Sequence, residues 1–168
     1  MRILTGLIIQ SPSRISKAIQ LGNMRPVNHA AVEFTDDNII FEAVSKGIQV
    51  INTYEWFHTR SPKTVVHHVS FNIPKEQYKE ALDFAWSCEK DKYSFITLTT
   101  FLPFLRSITN RLVKEDDRAW ICSEFFEAVF RKAKTNFVHL KTKPDDVSPG
   151  DLFDSIRMEM GAYYKTEY

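Results

Sequence analysis

Apolar and polar positions along the chain alternate with two different periods, and the switches between them mark the elements. Ile3 to Ile9 forms a nearly continuous apolar run, the first strand candidate. Ser11-Pro12 then reads as a helix start, a capping serine followed by proline at the first helical position. The helix it opens turns Ile15, Ala18 and Ile19 inward, stops near Gly22, and leads into a loop at Asn23 to Asn28. His29 opens HAAVEF, Thr35-Asp36-Asp37-Asn38 reads as a turn, and Ile39 to Val44 follows as the partner strand. The two make a hairpin. Lys46-Gly47 is a second turn, followed by IQVI as a third short strand, and Thr64 to Phe71 is another β-rich run.

The period then changes. After Pro74, Tyr78, Ala81, Leu82, Ala85 and Trp86 recur at helical spacing, predicting one buried face. A second helix is predicted from about Cys122, with Phe125, Phe126, Val129, Phe130 and Ala133 on its inner side. Between them, residues 94–113 are apolar, and Pro103 argues against one unbroken helix. Phe137 to Leu140 suits a closing strand, SPGDL at 148–152 reads as a turn, and the last residues read as a polar tail. This order predicts an α+β fold in which an antiparallel sheet packs against helices.

A length of 168 residues with no Pro/Gly/Ser linker and no repeat suits one domain, with a core over about 3–156 and a tail at 157–168. The 22 Lys+Arg against 21 Asp+Glu give no reason to expect nucleic acid as the partner. The 13 Phe residues are expected mainly in the core, with a greasy substrate groove as the alternative. Two cysteines make neither a disulfide framework nor a zinc cluster, so no metal or cofactor is expected. No segment reads as a transmembrane span or a cleavable signal, so the expectation is a cytoplasmic protein without stable membrane insertion.

Candidate chemistry centres on Cys122. At the start of a helix its thiol would meet the positive end of the dipole, which favours a thiolate, and the free first-turn N–H groups suit an oxyanion. The competing reading is a small core residue, and Glu124 beside it reads as a favourable helix-end charge. A nucleophilic cysteine needs a base, usually histidine. His58 lies in the polar stretch FHTRSPK, and His67 and His68 are adjacent in a strand, so they point to opposite faces and cannot share a metal. His139 lies near the end of a short strand. His29 begins a strand straight after a loop, where a side chain can face a cleft from a rigid support. Glu42 lies on the other arm of the same hairpin, in an otherwise apolar strand. A carboxylate there needs a partner, and an imidazole is a sensible one, although an edge-strand glutamate facing water remains open. Cys88 with His139 would be a different thiol pair, with Cys88 near a helix C-terminus, where the dipole disfavours a thiolate.

The order NHAAVEF, IIFEAVSKGIQV, a helix ending in EKDKYSF, WICSEFFEAVF and DDVSPGDLFDS resembles the circularly permuted NlpC-type papain-like cysteine hydrolases, which include the bacterial YiiX-like proteins. In them the histidine strand precedes the cysteine helix, the reverse of papain. The match runs in order over about residues 5–156. The resemblance implies a papain-like fold with Cys122 as nucleophile, His29 as base and Glu42 as the third polar residue. The design is similar to that of lecithin retinol acyltransferases, where a strand-borne polar residue also supports the base. The family often has Gly before and Asp after the tyrosine of the segment here reading KDKYSF, whereas this chain has Lys92 and Ser94. The activity implied is acyl transfer through a thioester, on a small peptide, an amide or isopeptide, or an acyl ester. The alternatives are a lipid hydrolase or acyltransferase, and a binding module that keeps the fold without catalysis.

Overall fold

The computed structural model describes residues 1–12, 20, 25–94, 119–135 and 147–164, with side chains described to Met158 in the last stretch. The apolar run near the N-terminus becomes strand β1 (Arg2–Gln10), in which Leu4 to Ile9 are all buried. A strand without a polar face must have neighbours on both edges and both sides. β1 accordingly lies inside a five-stranded sheet of order β4-β3-β2-β1-β5, with β2 His29–Phe34, β3 Ile39–Val44, β4 Gly47–Asn52 and β5 Val65–Ile73. All four pairings in that sheet are antiparallel.

The β2–β3 hairpin forms as the alternation predicts, with Ala31 opposite Glu42 and Phe34 opposite Ile39. Its turn is a short 3-10 segment over Thr35–Asp37, closed by Asn38 at φ 55°. Asparagine tolerates that left-handed conformation better than most residues. β4 returns after the turn containing Gly47, whose φ of +110° suits glycine. A Cβ at position 47 would also stand 2.4 Å from the Asp91 carbonyl oxygen. That oxygen accepts the Ile48 N–H at 3.0 Å, tying β4 to the segment just before Lys92.

Two helices cover one face of the sheet. Helix α2 (Lys75–Ser87) buries Tyr78, Ala81 and Ala85, and α3 (Cys122–Lys132) buries Phe125, Phe126, Val129 and Phe130. They meet Leu4, Ile8, Ala30, Val32, Phe34, Phe41 and Ala43 in one core. Gly6 allows α3 to come close, since a Cβ there would lie 2.6 Å from the Phe126 ring. The protein is therefore of mixed α+β class, an antiparallel sheet packed against helices. The opposite face carries a smaller cluster of Leu7, Ile9, Ala31, Ile40 and Trp56. Trp56 belongs to α1 (Thr53–Thr59), started by Asn52, whose side-chain oxygen accepts the Tyr54 N–H at 2.9 Å. Two-residue strands β6 (Lys92–Tyr93) and β7 (Ala119–Trp120) pair in parallel just before α3.

The structure differs from the sequence reading in three places. SPGDL is the start of helix α4 (Pro149–Tyr164) and not a turn, so helix also occupies part of the expected tail. Ser148 and Asp151 cap it reciprocally: the Ser148 N–H donates to Asp151 Oδ2 at 2.8 Å, and the Asp151 N–H donates to Ser148 Oγ at 3.2 Å. Trp86, assigned to the buried face of its helix, is 44% exposed, because the last turn of α2 puts only an edge contact against Phe41. Helix α1 was missed because seven residues are too few for a period to stand out. The helix after Ser11-Pro12, the apolar stretch from 95, the strand at 137–140 and His139 lie outside the described residues.

Candidate active site

Cys122 is the first residue of α3, and the residue before it, Ile121, is extended at φ −95°, ψ 163°. Isoleucine has no oxygen with which to cap the first-turn N–H groups. Glu124 instead reaches back, its Oε2 accepting the Ile121 N–H at 3.0 Å. Glu124 is thus a helix-start anchor, buried with the first turn. The Ser123 hydroxyl donates to the Val147 carbonyl at 2.5 Å, pinning the same turn to the entrance of α4. The nucleophile candidate therefore sits on backbone held from two directions. Its thiol is buried, with 4% of the residue exposed.

His29 is the first residue of β2 and pairs with Ile9 of β1. The strand entrance is fixed by Asn28, whose N–H donates to the Ile9 carbonyl at 2.9 Å and whose Oδ1 accepts the Ser11 N–H at 2.7 Å. By strand alternation, His29 and Ala31 lie on the Trp56 side of the sheet, whereas α3 packs on the other side. Imidazole and thiol act on each other across the two layers because each stands at the first residue of its element.

His29 Nε2 and Glu42 Oε2 are 2.9 Å apart. Glu42 lies opposite Ala31, so His29 is its diagonal neighbour across the hairpin, within reach of two long side chains. With Nε2 engaged by the carboxylate, Nδ1 is the ring nitrogen left for Cys122. Burial disfavours the imidazolium, but Cys122 as hydrogen-bond partner and charge, and then Glu42 in the same two ways, outweigh it and raise the His29 pKa to about 9. The 2.9 Å contact fixes Glu42 as the hydrogen-bond partner of Nε2, and Cys122 acts on the same ring as both hydrogen-bond partner and charge.

Glu42 is buried, which alone would raise its pKa. His29 and then Arg60 overcome that and hold the carboxyl down to about 2. Arg60 follows α1, and its Nη2 donates to the same oxygen, Glu42 Oε2, at 2.6 Å. Its guanidinium lies 4.2 Å from the centre of the buried Trp56 ring. The Trp56 indole N–H also faces the carboxylate, but makes no hydrogen bond of good geometry.

Tyr93 lies close to Cys122: its hydroxyl pKa is raised first by burial and then by the charges of Cys122 and Glu124. The departure at Lys92 and Ser94 thus leaves the tyrosine itself beside the cysteine. Sequence reading missed Arg60, which lies in the polar stretch FHTRSPK. The signal available was Trp56 four residues earlier in a helix, a spacing that stacks the two side chains.

His58, His67 and His68 make their described contacts elsewhere. His58 is exposed and stacks on Tyr54 with ring centres 3.7 Å apart. His67 packs its ring edge-on to Phe153, and His68 is exposed. Cys88 caps the C-terminus of α2, and its pKa is pushed up to about 11, first by burial. A hollow of about 330 Å³ lies at the opposite end of the hairpin, lined by Arg2, Asp37 and Tyr78 among others, with neither cysteine nor histidine in its lining. Among the described residues no group of His, Cys, Asp and Glu is arranged to hold a metal ion, and no helix is long and apolar enough to cross a membrane. No protein-family model matches the sequence, and a search of curated proteins found no match.

Proposed function

We propose that the protein is a papain-like cysteine hydrolase of the permuted type, acting by acyl transfer on an amide or isopeptide bond. The observation that carries the reading is the 2.9 Å contact of His29 with a buried, ionised Glu42 on an imidazole that also faces Cys122 at a helix start. At neutral pH an imidazole with a pKa of about 9 already holds its proton. The thiolate, not the thiol, is the form of a cysteine that attacks, and an imidazolium is the partner that stabilises it.

The thiolate sulfur attacks the carbonyl carbon, forming a C–S bond, and the carbonyl π pair moves to oxygen. Backbone N–H groups of the first turn of α3 are suited to receive that oxyanion. The oxyanion collapses, the C–N bond breaks, and His29 gives its proton to the departing nitrogen. The result is a thioester and a free amine. Water then attacks the thioester, His29 takes a proton from it, and the C–S bond breaks to release the acid and restore the thiolate. Glu42 keeps the ring oriented and stabilises its charge throughout.

The test is alkylation with iodoacetamide followed by mapping of the modified cysteine. Below the ordinary thiol range, near pH 6, Cys122 should react at least about tenfold faster than in His29→Ala, while Cys88 stays unmodified. Equal rates in the two proteins would remove the thiolate–imidazolium pair and the reading with it. Matched short peptide amides and fatty-acyl esters then address the substrate. Cleavage of the amides, lost in Cys122→Ala, is expected, and cleavage of the esters alone would move the protein to lipid hydrolysis.

A further inference from the structure

The third residue of the site is itself held. Glu42 accepts both of its strong hydrogen bonds on one oxygen, Oε2, from His29 Nε2 at 2.9 Å and from Arg60 Nη2 at 2.6 Å. A glutamate side chain has three rotatable bonds, and a contact from His29 alone would leave the carboxylate free to swing. Arg60 removes that freedom because its own plane is fixed. It follows directly on α1, it stacks on Trp56 at 4.2 Å, and Trp56 is fully buried in the cluster against β1, β2 and β3. The carboxylate is thus clamped between a strand-borne ring and a helix-anchored guanidinium. Its side chain is 8% exposed, so water competes little for either contact.

From this we infer that Arg60 is a positioning residue for the reaction: it keeps Glu42 ionised and aimed at His29, and so controls the proton on the imidazole that serves Cys122. The inference rests on the hydrolase reading above and adds to it a fourth member, remote from the thiol. The alternating sequence sulfur, imidazole, carboxylate, guanidinium places each charge beside an opposite one.

The groups that face this array come from several elements. His29 of β2, Arg60 after α1 and the Trp56 indole of α1 face Glu42. The neutral Gln49 of β4 is its cross-strand partner. Cys122 of α3 faces His29, and Tyr93 of β6 and Glu124 of α3 lie near Cys122. Arg60 is the one of these whose removal changes the charge next to Glu42 without touching His29 or the thiol. Loss of the guanidinium makes Glu42 easier to protonate. With Glu42 still ionised but its charge no longer balanced by Arg60, the site about the sulfur is more negative, a thiolate forms less readily, and the acid limb of thiol reactivity moves up.

The experiment measures the rate of Cys122 alkylation by iodoacetamide against pH in the full chain, read by mass mapping. Wild type, Arg60→Gln, Arg60→Lys and His29→Ala are compared, with circular dichroism to verify folding. Arg60→Gln should shift the acid limb up by about one pH unit, a roughly tenfold loss of rate on that limb, with little change above it. Arg60→Lys keeps the charge and should recover at least about half of the shift. A profile for Arg60→Gln that superimposes on wild type overturns the inference. So does an equal loss at every pH, which is what a purely structural role would give. If wild-type Cys122 reacts no faster than in His29→Ala, the hydrolase reading falls and takes this inference with it. An intact wild-type advantage with an unmoved Arg60→Gln limb removes the inference alone.

Discussion

Glu42→Gln is the perturbation that probes the site most directly, because it keeps the shape of the side chain and removes only its charge. The carboxyl pKa stands at about 2 in the folded protein against an ordinary 4.5. At about 1.4 kcal/mol per pH unit, that difference is worth about 3 kcal/mol of stability above the ordinary value. The His29 shift from 6.5 to about 9 partly reports the same contact from the other side and is not added to it. A glutamine oxygen still accepts hydrogen bonds from His29 and Arg60, so the expected loss at neutral pH is about 2–3 kcal/mol. The pH dependence gives the sharper test. A depressed carboxyl stabilises fully above its unfolded value and loses that contribution as pH falls through about 2, so the gap between wild type and variant should close over that window. His29 has the opposite sign: its contribution is full below 6.5 and lost as pH rises through about 9, and the variant should show less of that alkaline loss. Urea unfolding across the acid range measures the first window and across the alkaline range the second. A gap that stays constant with pH, or no gap at neutral pH, would refute the charge-pairing argument.

Gly47→Ala should destabilise the protein by about 2–4 kcal/mol in urea unfolding, since φ is +110° and the new Cβ meets a backbone oxygen that already accepts the Ile48 N–H. Because that oxygen ties β4 to the approach to Tyr93, Cys122 alkylation should also slow, and unchanged stability would show that the turn can relax. Ser148→Ala removes the oxygen that accepts the Asp151 N–H and should cost about 1 kcal/mol, read as a lower midpoint of urea unfolding. An unchanged midpoint would mean that Pro149 and Asp151 start α4 without the serine.

The legible parts of the sequence were those where period and chemistry agree. HAAVEF and IIFEAV alternate about a four-residue turn, and that turn alone brings His29 and Glu42 onto one face, where they meet at 2.9 Å. The phenylalanines after Cys122 recur at helical spacing, and Phe125, Phe126 and Phe130 are all buried in α3. Ser148-Pro149 carries the same signal as Ser11-Pro12, yet SPGDL reads as a turn. The aspartate three residues after the serine, which completes the cap, is the feature that decides for helix. Trp86 shows the limit of periodicity near a helix end, where a residue at the right angle has run past the surface it should cover.

Arg60 was illegible for a different reason, and that reason bears on how such sites are built. A buried carboxylate announces its need for partners, but the sequence names only the partner whose distance is set by a hairpin. The second partner comes 18 residues later, after a strand, a turn and a short helix, and nothing local fixes where its long side chain will reach. What fixes it is tertiary: Trp56 fills the apolar gap over Leu7, Ile9, Ala31 and Ile40, and the arginine one turn on is laid across the indole towards Glu42. A core residue chosen for its bulk thus also aims a charge. The consequence runs back to the chemistry, because the cluster on that face of the sheet both seals it and sets the carboxylate against which His29 is protonated. A substitution that shrinks Trp56 therefore acts on the imidazole through Arg60 and Glu42.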